Sequence, residues 1–154
     1  MRSVSHPKVE EIVSYMMRKV REEARIFLEF YKGYPDQKDR LYGYFSIYPD
    51  PHREEYHVLC PLCGWISKIM RPSYSRHPRL DFFCNVARIL GIHLTRRHAW
   101  GQKYEKHRIV FYSRFGEIIP IETTYRCLRC GAILPNLLVS VLHELVYHSS
   151  EEVR

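Results

Sequence analysis

No stretch of this chain is apolar for the roughly 20 residues that a membrane crossing takes. The first residues, Met1-Arg-Ser-Val-Ser-His-Pro-Lys8, lack the apolar core of a secretory signal, so an intracellular or virion setting is expected, without a membrane span. Side-chain amides are scarce too: Asn85, Asn136, Gln37 and Gln102 are all there are. Few thermolabile amides beside many charged residues and twelve Tyr point to a hot environment. A structural metal is most useful to a small fold in such a setting. A disulfide framework is not indicated, because four of the five cysteines stand in Cys-x2-Cys pairs, a spacing that suits thiolates on a metal. Cys84 is the fifth, expected as a small buried apolar side chain on a helix. The His-Glu-x-x-His spacing of zinc hydrolases is missing, although Glu144 follows His143, and nothing points to a small-molecule substrate.

What remains is enough for a core. With 154 residues, 45% of them hydrophobic, the chain is one modest domain or two small ones and not a disordered polymer. Lys and Arg outnumber Asp and Glu by 24 to 17, a net charge of +7, which favours a polyanionic partner.

The most informative stretch is the last third. Cys127 and Cys130 bracket two residues, residues 131–142 follow, and then come His143 and His148 with four residues between them. Zn²⁺ takes four nitrogen or sulfur ligands in a tetrahedron, and this order supplies two thiolates from a turn and two imidazoles from the end of a helix. The order occurs earlier as well. Cys60-Pro-Leu-Cys63-Gly64 parallels Cys127-Leu-Arg-Cys130-Gly131, and His93-x4-His98 parallels His143-x4-His148, with a longer insert between the pairs of the first copy. An internal repeat sets the unit of architecture. Two zinc ions are expected. A single shared site built from Cys60, Cys63, Cys127 and Cys130 stays open as the alternative, as does a reduced pair of thiols with surface histidines.

Taken in order, residues 9–31 read as a helix whose apolar stripe is Val9, Ile12, Val13, Met16, Val20, Ala24, Phe27 and Tyr31. Ser5 is its expected N-cap, Pro7 lies in its first turn and Gly33 lies past its end. Arg18, Arg21, Arg25 and Lys32 lie opposite the stripe, beside Glu11, Glu22 and Glu29. They are either a solvated face or a rail for phosphates. Residues 33–40 have turn and linker composition. Residues 41–48 read as a strand, residues 49–51 as a turn, and residues 54–59 as a returning strand, with 65–70 extending the sheet. Residues 68–79 form the most basic loop, with Lys68, Arg71, Arg76 and Arg79 around Tyr74, a composition that suits a nucleic-acid backbone. Pro78 opens the helix that reaches His93 and His98. A second basic cluster follows in Arg96, Arg97, Lys103, Lys106, His107 and Arg108. Strands over 108–114 and 117–125 straddle Phe115-Gly116, and Pro120 suggests an edge strand. The expected fold is α+β: an N-terminal amphipathic helix (1–33) and two zinc-stapled hairpin–knuckle–helix units (34–101 and 102–154) packed into one body.

In its order of Cys127, Cys130, His143 and His148 the second copy resembles the two-cysteine, two-histidine zinc fingers over about 25 residues. The first copy, with Cys60, Cys63, His93 and His98, resembles them across its long insert. That family reads DNA from helix positions −1, 3 and 6, which the resemblance places on Asn136, Val139 and Leu142, and on Val86, Ile89 and Ile92 in the first copy. Of these only Asn136 can make the paired hydrogen bonds that identify a base. The two sites are therefore expected to be staples, not reading heads. More loosely, a basic amphipathic helix before an apolar helical body is similar to the DNA-wrapping coat proteins of filamentous archaeal viruses. That resemblance implies double-stranded DNA along the N-terminal helix and self-assembly of the bodies.

The function expected is a non-catalytic, zinc-stabilised protein that coats or packages double-stranded DNA by phosphate contacts. A sequence-specific double-finger regulator, a zinc enzyme and a protein–protein adaptor are the competing readings.

Overall fold

The computed structural model describes residues 7–47, 55–70, 78–112, 114–116 and 118–148. Helix α1 spans Pro7–Phe30. Of the stripe its spacing predicts, Val20, Ala24 and Phe27 are buried and Ile12, Val13, Met16 and Tyr31 are half-buried, while the side chain of Val9 lies outside the described residues. Its exit is tied by a side chain, since Gln37 Nε2 donates to the Phe30 carbonyl at 2.9 Å while Gln37 Oε1 accepts from Lys32 N at 2.7 Å. The proposed N-cap, Ser5, lies outside the described residues.

The segment expected as linker is instead helix α2, Pro35–Gly43. Proline at the first helical position, Asp36 in the first turn and Arg40 in the last are helix signals that its turn-like composition masks. The strand expected over 41–48 shrinks to β1, Ser46–Ile47. Leu41, Tyr44 and Phe45 are buried there because they plug α2 and its turn into the core, not because they pair in a sheet. Arg40 and the Tyr44 hydroxyl both donate to Glu23 Oε1, at 3.1 and 2.7 Å, fastening this corner to α1.

β1, β2 (Glu55–Leu59) and β3 (Ile66–Met70) form an antiparallel sheet in that order. The turn expected at 49–51 lies outside the described residues. Helix α3, Pro78–Arg97, follows, then the single turn α4, Trp100–Lys103. The second sheet has the order β4 (Tyr104–Tyr112), β5 (Ile118–Cys127) and β6 (Ile133–Leu134). β4 starts earlier than the apolar pattern suggests. Its first half is held by polar cross-strand pairing, with Glu105 opposite Arg126 and bonded to it at 2.7 Å. Pro120 sits at a bulge, where the register passes from Ile109↔Glu122 to Val110↔Pro120. β6 pairs with β5 only at Tyr125 and Arg126, so among the described residues the Pro120 end of β5 has β4 alone as neighbour.

Helix α5, Leu137–Tyr147, begins at Asn136, whose side chain accepts from Val139 N at 2.9 Å. It is apolar nearly all round, and every residue from Leu138 to Leu145 is buried. α1 packs along it. One core draws on both repeats: Val86, Leu90 and Leu94 of α3, Leu138 and Leu142 of α5, and Val20 of α1 belong to the same cluster. Fully burying each such side chain stabilises by about 1.5–3 kcal/mol.

Candidate metal centres

Each site begins with a tight turn. In the first, Gly64 N donates to the Cys60 carbonyl at 2.8 Å and Cys60 N to the Trp65 carbonyl at 2.8 Å. In the second, Gly131 N donates to Cys127 O at 2.8 Å and Cys127 N to Ala132 O at 2.9 Å. Gly64 and Gly131 have φ of +81° and +80°, a left-handed conformation that glycine adopts without strain. The turn aims backbone amides at sulfur. The N–H groups of Leu62 and Cys63 face the Cys60 thiol, and those of Arg129 and Cys130 face Cys127.

The histidines arrive from helices that stop in time. On a continuous α-helix, residues five apart point about 140° away from each other. α3 ends at Arg97 and α5 at Tyr147, so His98 and His148 each lie one residue past a helix end. Their N–H groups still bond the carbonyls of Leu94 and Glu144, and their rings lie beside those of His93 and His143, with ring centres 5.1 and 5.2 Å apart.

Thus the eight residues singled out by spacing meet as two sets of four, Cys60, Cys63, His93 and His98, and Cys127, Cys130, His143 and His148. Within each set the ligand atoms all lie within 4.8 Å of one another. The cross edges are Cys63 Sγ–His93 Nε2 at 3.3 Å and Cys60 Sγ–His98 Nε2 at 3.7 Å. In the second set they are Cys130 Sγ–His143 Nε2 at 3.3 Å and Cys127 Sγ–His148 Nε2 at 3.5 Å. A tetrahedron with metal–sulfur and metal–nitrogen bonds of about 2.3 and 2.05 Å has a sulfur–nitrogen edge of about 3.5 Å. Each set therefore fits one tetrahedral metal ion. A single four-cysteine site is excluded, because each cysteine pair has its own histidines.

Protonation suits this use at the histidines, while burial works against the thiolates of Cys60 and Cys130. Burial lowers His93 and His143, helped by the second histidine of each pair, so the rings are held in the neutral form that ligates a metal. Burial pushes the Cys60 thiol up to about 12, and neighbouring Cys63 adds to the rise. Cys127 goes the other way: burial raises it, but the amides of Arg129 and Cys130 and the Arg129 guanidinium outweigh that. Cys60 and Cys127 are buried, while Cys63 and Cys130 are exposed.

Neighbouring rings fix the ligands. Trp65 stacks on His93 at 4.1 Å and 7°, and Tyr147 lies 5.0 Å from His143. Beside the second site is a buried carboxylate whose partners sequence reading did not anticipate. Glu144, 1% exposed, accepts from the Tyr104 hydroxyl at 3.0 Å, is bonded by Arg129, and has Lys103 at 3.9 Å. An acid inside an apolar helix must find cations or donors, and that was the available signal.

The candidate nucleic-acid residues fare differently. Arg18, Arg21 and Arg25 are exposed on α1. Arg25 is not a free rail member, for its guanidinium lies 5.3 Å from the Tyr147 ring. Arg71, Tyr74 and Arg76 lie outside the described residues, as do the side chains of Lys68 in β3 and Arg79 in α3. Cys84 is exposed and not buried: α3 buries Phe82, Val86 and Leu90 at four-residue steps, which turns position 84 outward. Of the finger positions that would meet bases, Val86, Val139 and Leu142 are buried, Ile89 is half-buried and Ile92 is 42% exposed. Asn136 caps α5 with the oxygen that base reading would use. No helix among the described residues is long and apolar enough to cross a membrane. Comparison with protein families, curated proteins and solved structures finds no match for this chain.

Proposed function

We propose that each cluster holds zinc as a structural staple, and that the protein coats or packages double-stranded DNA through sequence-independent phosphate contacts without catalysing a reaction. Cys₂His₂ donor sets are typical of structural zinc, and four protein donors leave no open position for a substrate. The observation that carries the reading is the burial of Val139, Leu142 and Val86, which removes from solvent the side chains a groove-reading helix would present. The net charge of +7 supports a polyanionic partner.

Metal analysis of the purified protein should return two zinc ions per chain. Binding to random duplex DNA should fall steeply with salt and be matched by competitor of any sequence. One sequence that clearly won would turn the reading into that of a sequence-specific regulator. The narrower role of a viral coat or nucleoprotein subunit adds self-assembly on DNA. It rests on the amphipathic N-terminal helix and is tested by imaging complexes of the protein with long duplexes.

A further inference from the structure

The cations of this chain are not spread evenly. α1 carries five basic residues and five acidic ones, so the arginine rail runs through a locally neutral surface. Between Asp81 and Glu105 the chain has no carboxylate at all, yet it places Arg88, Arg96, Arg97 and Lys103 there. This acid-free stretch is α3 from Phe82 onward together with α4, and it forms one wall of a concavity.

That concavity, about 490 Å³, separates α3 from the β4–β5 hairpin. Arg88 and Arg96 stand on the helix side and Lys106 on the hairpin side, beside its cross-strand partner Tyr125. A second hollow of about 280 Å³ shares Ile92 and Arg96 with the first and adds Arg97 and Trp65. Among the described residues no carboxylate lines either one. Glu105 neighbours Lys106, but successive strand residues point to opposite faces, and its carboxylate is held by Arg126 and His107 at 2.7 and 2.9 Å. Arg96 and Arg97 also suit the negative end of α3, where cations are favoured. Arg88, mid-helix, and Lys106, on a strand, have no such reason to be there. Ile92, 42% exposed on the ridge between the hollows, gives the surface an apolar crest.

We infer that this double groove between α3 and the β4–β5 hairpin, and not the arginine rail of α1, is the face that takes the phosphodiester backbone of DNA. The identity of the ligand rests on the function proposed above; the location is independent of it. Phosphate contact favours cations gathered where carboxylates are few, and α3 gathers them over an acid-free stretch whereas α1 carries as many acids as bases.

The test uses the zinc-loaded full chain and a fluorescent random 20-base-pair duplex, titrated at several salt concentrations. The double variant R96E/K106E should bind about tenfold or more weakly, and R96Q/K106Q should flatten the slope of log affinity against log salt by about 2. R18E/R21E should change affinity less than about threefold. Zinc content and melting temperature check that each variant is folded, and the glutamine pair serves if the reversals are not. Should the rail variant lose binding while the groove variants keep it, the location is wrong and the DNA reading stands. Should the wild type bind no duplex even at low salt, or an acidic polypeptide compete as well as DNA does, the ligand is wrong and this inference goes with it.

Discussion

The hydroxyl of Tyr104, the first residue of β4, donates to the carboxylate of Glu144 at 3.0 Å, so the second sheet is bonded to the helix position next to His143 of the second donor set. Burial, and then the nearby Glu144 charge, push the phenol far above its ordinary pKa, so it stays a donor throughout the accessible pH range. Arg129, inside the second cysteine turn, bonds the same carboxylate. The knuckle, the helix and the sheet of this unit thus converge on one buried acid. The first repeat is built otherwise: the positions matching Arg129 and Glu144 are Leu62 and Leu94.

Removing the acid alone should be costly. Glu144→Ala leaves Arg129 and Lys103 facing a vacancy and Tyr104 without its acceptor. A loss on the order of 3 kcal/mol is expected by urea unfolding of the metal-loaded protein. The double variant Arg129→Leu/Glu144→Leu, which copies the first repeat, should recover most of that loss, because an apolar pair needs no desolvation. A double variant no more stable than Glu144→Ala would mean that the network is not interchangeable with packing.

The two donor sets were legible because metal geometry leaves so little freedom: two thiols from one turn and two imidazoles at one helix end need fixed spacings, and spacing survives in sequence. The stripe of α1 was legible for the same reason of periodicity. What was hidden is tertiary. Leu41, Tyr44 and Phe45 look like strand residues, yet they are buried around a short helix that Pro35 starts. Cys84 looks like a core residue, but the helical phase set by Phe82, Val86 and Leu90 points it at solvent. Arg25 counts as one more cation on a helix face until Tyr147 is found beneath it. The acid-free run from 82 to 104 was visible all along as composition; only the fold, which sets α3 across a groove from the hairpin, makes it a surface.

Acid should unlock the corner of α2. Burial raises the Glu23 carboxyl, but hydrogen bonds from Tyr44 and Arg40 outweigh that and leave it below its ordinary value. A depressed carboxylate stabilises the fold above its unfolded pKa and stops doing so as pH falls through the folded one. Arg40 is 58% exposed, so solvent screening keeps the effect small. Glu23→Gln is expected to cost about 0.5–1 kcal/mol at pH 7 and nothing resolvable at pH 3, read from denaturant melts of the metal-free chain at both pH values. An equal cost at both would show that shape and not charge matters there.

The knuckle glycines should differ from each other. Both have positive φ, so alanine at either costs about 1–2 kcal/mol of backbone strain. A Cβ at Gly131 meets nothing within 4 Å, but at Gly64 it would lie 3.2 Å from Met17 Sδ on α1. Gly64→Ala is therefore expected to be the more destabilising of the two by a few tenths of a kcal/mol. Adding Met17→Ala should remove that difference while leaving the strain. Thermal melts of Gly64→Ala, Gly131→Ala, Met17→Ala and the Met17→Ala/Gly64→Ala pair decide it, and equal costs for the two glycines would mean that α1 yields freely at the first knuckle.

Loss of metal from one cluster should be felt at the other. Cys60 and Cys127 belong to the same buried cluster as Val86 and Leu90 of α3 and Leu138 and Leu142 of α5, so neither donor set closes a core of its own. Metal binding to a set that exists only when folded adds its free energy to folding, and a chelator withdraws it. Cys63→Ala and Cys130→Ala each remove one exposed thiol and disturb packing least. Each variant should carry one metal ion instead of two and melt in a single transition at lower temperature. Its remaining ion should also leave faster to a chelator than either ion of the parent does. In a double-mutant cycle on unfolding free energy, the two substitutions should couple by about 1 kcal/mol or more through the shared core. Strict additivity, or two separate melting transitions, would mean instead that each knuckle and its helix fold alone, and that the apolar seam between α3 and α5 contributes little to holding the repeats together.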